Sequence, residues 1–392
     1  MKIAVAIPKY GLVGGAENFA FELCERLATH NGFEIHVFAN KWRKGNAPIV
    51  FHKIPIIRFP RFLQPISFAY FVRNEAKRGR FDLLHSHDRI FGMNLFTMHG
   101  IPHKTWIKEV RQKRLSLFDR ATAWVEKKGI TGPPEPMVLP VSTLVKDELL
   151  KRYDIAESRI HVMHPGVSID RFAQLDRGMC RREVRQRHRL AQDDMVLLFV
   201  GMNFEVKRLE LVLQGMARLV KDNSNSHLKL LIVGKGDEKR YIRSARNLGI
   251  SERVVFAGLV RKTEEYYLAA DIFVMPSAYD TFGIAVLEAM MAGLPVIITK
   301  KVGAKDLLQN SVQGFVLSEN PSEYEMVEAL ASMIDSQRHI QIGQMAKKTA
   351  LENSWDKLAR RIVDLYSTTE QHKGPDLACM IAPLTNKSQS VN

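Results

Sequence analysis

Pro276-Ser-Ala-Tyr-Asp-Thr-Phe-Gly-Ile-Ala-Val-Leu-Glu-Ala-Met-Met-Ala-Gly-Leu-Pro-Val-Ile-Ile-Thr299 decides the fold. An apolar strand at 272–275 runs into Pro276, a polar loop follows, and residues 283–292 read as a helix. Gly293 suits a helix C-terminal cap, and Pro295 stops the helix and opens the next strand. Strand, loop, helix, strand is the repeating unit of a parallel sheet, so the chain is α/β. The loop Asp280-Thr-Phe-Gly-Ile284 aims the backbone N–H groups of Thr281, Phe282, Gly283 and Ile284, with the positive helix end, at one spot. That is an anion site. Glu288 lies on the same helix among Ile284, Ala285, Leu287, Ala289 and Met291, which are apolar or small. A carboxylate buried there must be paired or hydrogen-bonded. A pair of sugar hydroxyls would satisfy it, and so would a salt bridge to a neighbouring Lys or Arg.

The chain has 392 residues, which predicts two domains of ordinary size. Cys24, Cys180 and Cys379 lie far apart, with no C-x-x-C. Neither a disulfide framework nor a zinc site is indicated, and a reducing compartment is expected. The first eight residues, Met1-Lys-Ile-Ala-Val-Ala-Ile-Pro8, break too soon for a signal peptide and read as a first strand. No apolar run approaches the roughly 18 residues of a membrane span. The formal net charge of +15 implies an anionic partner: a phosphorylated substrate, an acidic membrane surface or nucleic acid. No motif that reads RNA or DNA is present, so nucleic acid ranks last.

After the first strand, Lys9-Tyr-Gly-Leu-Val-Gly-Gly-Ala-Glu17 leads into a helix at 18–29. Strand, glycine loop, helix is the layout of a phosphate-cradling turn, and a tight turn needing positive φ would give the same pattern. Residues 58–73 mix Arg58, Arg61 and Arg73 with Phe59, Phe62, Phe68, Tyr70 and Phe71. This suits a membrane-surface segment or a helix that covers the core with a basic edge. Phe81-Asp-Leu-Leu-His-Ser-His-Asp88 is a strand that ends in polar residues, and function gathers at such carboxyl ends. His85, His87 and Asp88 have no third or fourth ligand nearby, so a metal is not indicated. Residues 105–128 show helical spacing, with Trp106, Val110, Phe118 and Trp124 on one face. Lys108, Arg111, Lys127 and Lys128 lie on the other, which suits either an anionic lipid or solvent.

The segment from Pro276 resembles the E-x7-E stretch of retaining GT-B glycosyltransferases of family 4, the glycosyltransferase group 1 proteins. Asp280 and Glu288 sit eight apart, followed by Ala-Met-Met-Ala-Gly-Leu-Pro-Val-Ile, with Asp280 in place of the first Glu. The resemblance implies that Glu288 holds the ribose diol of a nucleotide sugar and that Asp280 lies near the donor sugar. Gly14, Gly15 and Glu17 match a G-G-x-E whose amides face the donor. His99, in Thr97-Met-His-Gly100, matches a T-x-H-G whose His reaches the donor sugar, with His87 beside it. Gly201-Met-Asn-Phe-Glu-Val-Lys-Arg208 is similar to G-R-x-x-x-x-K-G, in which Arg and Lys clamp the diphosphate. Lys207 matches the Lys. Met202 replaces the Arg, and Arg208 stands where Gly is usual. Lipopolysaccharide core glucosyltransferases show a similar variant. The strand ends at Gly234, Gly236, Val255 and Phe256 correspond to those that hold the nucleotide base.

The resemblance implies two Rossmann-like domains facing across a cleft. An acceptor domain is expected at 1–170, a linker at 171–192 and a nucleotide-sugar domain at 193–353. A helix crossing back is expected at 354–368, and an aperiodic polar tail at 369–392. The implied reaction moves a hexosyl-type sugar, with retention, from a nucleotide diphosphate sugar to an acceptor hydroxyl. A UDP-sugar is favoured as co-substrate, with no separate cofactor. No D-x-D is present, so no metal is implied. The basic surface points to an acceptor on lipopolysaccharide core or another anionic membrane glycolipid, or to an oligosaccharide. That setting is cytoplasmic, peripheral on the inner face of the cytoplasmic membrane. Two alternatives stay open: a nucleotide-sugar epimerase of the same fold, and a basic membrane-binding module on a degenerate scaffold.

Overall fold

The computed structural model describes residues 1–371 apart from 13, 31, 224–226 and 335. The far part of the expected tail, 372–392, and Cys379 with it, lie outside the described residues. The first half holds strands β1 (Lys2–Ala6), β2 (Glu34–Ala39), β3 (Val50–Lys53), β4 (Leu83–Ser86), β5 (Leu95–Met98) and β6 (Met137–Pro140). They pair in parallel in the order β3-β2-β1-β4-β5-β6. The second half repeats the plan. Strands β7 (Met195–Gly201), β8 (Leu228–Gly234), β9 (Val254–Gly258), β10 (Ile272–Met275), β11 (Val296–Thr299) and β12 (Gly314–Leu317) lie in the order β9-β8-β7-β10-β11-β12. Both sheets reverse direction beside their first strand, and such a switch point opens a crevice at the carboxyl ends of the strands. Strands buried on both faces read as unbroken apolar runs, and Leu197, Leu198 and Phe199 of β7 are fully buried.

The decisive segment folds as its sequence requires. The helix spans Ile284–Met291, preceded by Gly283 at φ 86°. At its end Gly293 takes φ 77°, its N–H donating to the Met290 carbonyl and that of Leu294 to the Ala289 carbonyl. This is a Schellman closure, and only a residue without Cβ adopts it freely.

Two expectations are corrected. Residues 105–128 are not one continuous helix. A π-helical turn at Trp106–Val110 ends near Gln112, which has φ 49°, and a new helix, Leu117–Thr131, begins at Ser116. Ser116 and Asp119 form a capping box, satisfying two orphan N–H donors and fixing the break there. Residues 171–192 are likewise not a plain linker. Helix Arg177–Arg187 packs on helix Thr263–Ala269 of the second domain. Its Arg185 is fully buried and pairs with Asp271 at 2.8 Å, and its guanidinium also donates to the carbonyls of Ala269, Ala191 and Asp194. Arg181 also pairs with Asp271 at 2.7 Å and Arg177 donates to the Ala292 carbonyl at 3.0 Å, so the arginine density there anchors the helix to the second domain.

The chain passes between the domains twice, side by side. The Val167 N–H donates to the Asn353 carbonyl at 3.0 Å, and Gly166 lies so close to Trp355 that a Cβ would collide with its backbone. Helix Trp355–Gln371 then returns to the first domain, where the Tyr366 hydroxyl meets His85 Nδ1 at 2.6 Å. Among the described residues no helix is long and apolar enough to cross a membrane.

Because Asp271 keeps its pair with Arg181, removing Arg185 strands no charge but leaves the carbonyls of Ala269, Ala191 and Asp194 without their buried donor, at a cost of about 1–3 kcal/mol. Arg185→Ala is therefore expected to lower the unfolding free energy by that order in denaturant titration. A loss below about 1 kcal/mol would place the pair with weak surface bridges instead.

Candidate active site

Loops at the carboxyl ends of strands from both sheets meet at the cleft. Asp280 leaves β10 and forms an ion pair with Lys207, which leaves β7. The Lys207 stem passes over Gly201, where a Cβ would stand 3.0 Å from Lys207 Cγ. Asp280 Oδ1 also accepts the Phe282 N–H at 3.2 Å, so this carboxylate holds both the cation and the anion-binding loop. The loop is fixed from behind. The Phe282 carbonyl accepts from the Ala304 N–H at 2.7 Å, and the Asp280 carbonyl from the Gly303 N–H at 3.0 Å. With its carbonyls engaged, the loop keeps the first-turn N–H groups of helix Ile284–Met291 toward the cleft.

The glycine turn of the first domain stands opposite. Gly14, at φ 149°, opens helix Gly15–Leu27. The Glu17 carboxylate folds back over Gly14 into the place a Cβ would take. A Cβ on Gly15 would stand 4.0 Å from Ile284 Cδ1, so the two anion-binding turns face one another.

The histidines just beyond β4 and β5 form a stack. His87 Nδ1 lies 3.0 Å from His99 Nε2, and the ring centroids are 5.3 Å apart. Phe19 meets His99 edge-on at 4.8 Å. Behind them His85 bridges Tyr366 and Thr97, the latter at 2.7 Å. Burial holds the pKa of His85 and of His99 down at about 3 and that of His87 well below its ordinary value. All three are neutral at physiological pH, and they act as hydrogen-bonding groups rather than cations. His87 and His99 line a cavity of about 300 Å³ together with Lys9, Glu17, Asp88 and Met98. The buried His87 Nε2 has no hydrogen-bond partner.

Glu288 is not paired with a cation. It accepts a 2.9 Å hydrogen bond from Tyr267, a residue that the sequence did not single out. Burial raises the Glu288 pKa to about 7, and the Tyr267 hydrogen bond opposes that rise. The nearest cation, Arg171, is spent on Glu22 at 3.1 Å and Glu264 at 3.6 Å. Glu288 and Ile284 close a small recess with Asn18 and Trp355.

Other residues singled out in the sequence stand apart from this centre. Arg208 takes φ 54° and turns to the loop after β12, donating to the Glu319 carbonyl and to Asn320 Oδ1, both at 2.7 Å. Met202 is 62% exposed. Gly234 lies against the Gly201 carbonyl and Gly236 against the Phe204 ring, each too close for a Cβ, so they let the exits of β7 and β8 converge. Val255 and Phe256 are half-buried on β9.

Contacts between the domains lie outside what the sequence indicated. Ser142, fully buried at the head of helix Thr143–Arg152, donates to the Thr281 carbonyl at 2.6 Å. Asp306 reaches from the second domain to the Thr143 N–H at 2.7 Å, the Thr143 hydroxyl at 2.5 Å and His164 at 3.1 Å. No spacing rule links residues some 140 to 160 positions apart, and only their place at two facing strand ends brings them together.

The Glu288 shift carries a sign. A carboxyl whose folded pKa lies above its unfolded value favours the fold while protonated, and that contribution fades as pH rises through about 7. Glu288→Gln is therefore expected to gain stability relative to the parent chain from about pH 5 to pH 8, measured by thermal unfolding without ligand. A difference that does not change with pH would contradict the buried, raised carboxyl.

The family model for glycosyl transferases group 1 matches residues 181–350, and that for glycosyltransferase family 4 matches residues 13–171. The chain is similar to an uncharacterized glycosyltransferase of Methanocaldococcus jannaschii, at 27% identity over 95% of this chain and 100% of the relative. It is 22% identical to the lipopolysaccharide glucosyltransferase WaaG of Escherichia coli, over 95% and 97%. A crystal structure of WaaG superposes with a TM-score of 0.76, covering 93% of this chain and 99% of that one, at 20% identity. The Anabaena protein HepE in complex with UDP-glucose superposes at 0.71, covering 94% and 100%, at 17% identity. Two matched models, one for each half of the chain, on two facing Rossmann-like sheets, identify the chain as a glycosyltransferase of GT-B fold, with group 1 and family 4 domains.

Proposed function

We propose that this glycosyltransferase moves a hexosyl-type sugar from a UDP-sugar, with retention, to a hydroxyl of an anionic membrane glycolipid such as lipopolysaccharide core. The observation that carries the reading is the Lys207–Asp280 pair at the head of helix Ile284–Met291, opposite the Gly14–Gly15 turn. A diphosphate placed there meets one ammonium, the helix N-terminus and the open amides of two glycine-containing turns. These groups meet the charge that develops as the bond to phosphate breaks. Glu288 would accept the ribose hydroxyls beside Tyr267. Neutral His99 would hold a hydroxyl of the donor sugar, and the unpartnered His87 Nε2 marks where a second hydroxyl would go.

Asp280 is engaged by Lys207 and the Phe282 N–H, which argues against its acting as a nucleophile. The arrangement favours a front-face substitution. The anomeric carbon loses its phosphate oxygen and gains the acceptor oxygen on the same face, while the acceptor proton passes to the departing phosphate. Arg208, tied to the β12 loop, leaves Lys207 as the cation that this reading assigns to the diphosphate.

The membrane partner is supported by one face of the first domain. Phe59 is 88% exposed and Leu117 66%. Beside them a groove of about 910 Å³ is lined by Arg61, Trp106, Arg111, Lys113 and Arg114. Apolar tips among cations suit an anionic lipid surface on the cytoplasmic side of a membrane.

Thermal unfolding in EDTA with UDP-glucose, UDP-galactose, UDP-N-acetylglucosamine and GDP-mannose in turn tests the donor site. Ligand at a hundred times its dissociation constant adds about 2.7 kcal/mol of stability. A shift with one donor is expected, weakened at least about tenfold in affinity by Lys207→Ala, since a charge-assisted bond contributes about 1.5–3 kcal/mol. No shift with any donor would refute the assignment, and conversion of the donor with no acceptor present would identify an epimerase. Sedimentation with phosphatidylglycerol vesicles tests the membrane face. Binding is expected to weaken as salt rises from about 0.05 to 0.5 M, whereas salt-independent binding, or none, would remove the membrane from the reading.

A further inference from the structure

His99 and His87 can hold sugar hydroxyls only if their rings keep one orientation. A neutral imidazole offers one N–H and one lone pair, each along a fixed direction. His87 Nε2 has no partner, so the His87 ring is aimed by His99 and by the rings packed on it. Those rings lead back to helix Trp355–Gln371, which arrives from the second domain. We propose that this returning helix sets the histidine stack of the sugar cavity, with Tyr366 as its positioning residue. The proposal rests on the glycosyl-transfer reading above and deepens it at the donor sugar.

One line of contact runs through His85. The Tyr366 hydroxyl lies 2.6 Å from His85 Nδ1, and the Thr97 hydroxyl 2.7 Å from His85 Nε2. All three residues are fully buried. Because the ring is neutral, one hydroxyl donates to it and the other accepts from it. With both nitrogens engaged, the His85 ring cannot turn without breaking both bonds. His87 packs on that ring, with centroids 4.6 Å apart and planes 30° from parallel. It passes the orientation to His99 through their 3.0 Å hydrogen bond.

A second line runs through Phe19. Trp355, at the head of the same helix, meets Phe19 edge-on at 5.2 Å, and Phe19 meets His99 edge-on at 4.8 Å. Tyr366 follows Trp355 by eleven residues, about three turns, so the two side chains leave one face of the helix. Leu358, Ala359 and Ile362 lie between them and are buried too. A phenylalanine at position 366 would serve this packing equally. The hydroxyl adds a single bond, and that bond goes to the ring beneath the stack.

The helix is also fixed at its start. The Trp355 N–H points to the Val167 carbonyl at 3.4 Å, and Asp356 pairs with Arg26 of helix Gly15–Leu27 at 2.7 Å. The segment that links the domains is therefore held at one end beside the glycine turn and at the other by His85.

Calorimetric titration of the full chain with UDP, UDP-glucose and UDP-galactose tests the role. In this reading UDP meets the second domain and not the histidines, so it serves as the control. The parent chain is expected to bind UDP and at least one of the two UDP-sugars. Tyr366→Phe should weaken that UDP-sugar at least about threefold and leave UDP unchanged. Thr97→Val removes the other partner of His85 and should do the same, and it carries the test if the Tyr366 variant does not fold. In a His87→Ala/His99→Ala background, Tyr366→Phe should cause no further loss, since the residue acts through those rings. Unchanged UDP-sugar affinity in folded Tyr366→Phe, equal weakening of UDP and UDP-sugar, or the same loss with and without the two histidines would each overturn the role and leave the donor reading standing. If His87→Ala/His99→Ala by itself leaves UDP-sugar affinity unchanged, the histidines do not hold the sugar, and the role falls with that contact. If the parent chain binds neither UDP-sugar, the glycosyl-transfer reading itself fails.

Discussion

The hydrogen bond from the buried Ser142 hydroxyl to the Thr281 carbonyl joins the two halves of the molecule at their most consequential point. It ties the first domain directly to the anion-binding loop of the second. Beside it, Asp306 accepts from the Thr143 N–H and hydroxyl and meets His164. The His164 and Thr143 contacts hold the Asp306 carboxyl below its usual range against the opposing effect of burial. Gly303 allows the approach, since a Cβ there would strike both Thr281 and Ser142. A carbonyl turned back into the protein leaves the following N–H groups toward the cleft. The geometry of the donor loop is therefore a property of both domains together, and it depends on how the two sheets sit edge to edge.

Burial then sets the electrostatics of what faces the cleft. Desolvation keeps the three histidines neutral and raises Glu288 to about 7, while Lys207 and Asp280 pair with one another. The site thus presents neutral hydrogen-bonding groups where sugars would lie and one compensated cation where phosphate would lie. Elsewhere the same rule gives structure rather than chemistry. Arg185 is as buried as any residue in the chain, yet its guanidinium is wholly consumed by Asp271 and by backbone carbonyls.

The departures from the family pattern form a connected set. Met202 offers no charge, and Arg208 is drawn to Glu319 and Asn320. The shorter Asp280 bonds to Lys207 and to the loop it precedes. Arg208 thereby holds the loop after β12, and Lys207 and the Phe282 N–H hold Asp280.

The sequence by itself determined the α/β class, the two-domain plan and the strand-loop-helix of residues 276–299. The two-domain plan rests on chain length and the family resemblance, and the others on local patterning: apolar runs of strand length, a glycine at each end of the helix, and a proline that starts the next strand. The family resemblance, carried by the motifs, pointed to residues that the structure places on both sides of the cleft. Tertiary structure decided what local pattern cannot encode. That Glu288 is answered by Tyr267 and not by a cation, and that Arg208 points away from Lys207, follow from packing between distant elements. The break at Ser116 within a segment of helical period, and the burial of Arg185 in an arginine-dense stretch, depend on a cap and on a partner helix. The contacts of Ser142, Thr143 and Asp306 join residues more than a hundred positions apart, and only the facing of two separately folded sheets brings them together.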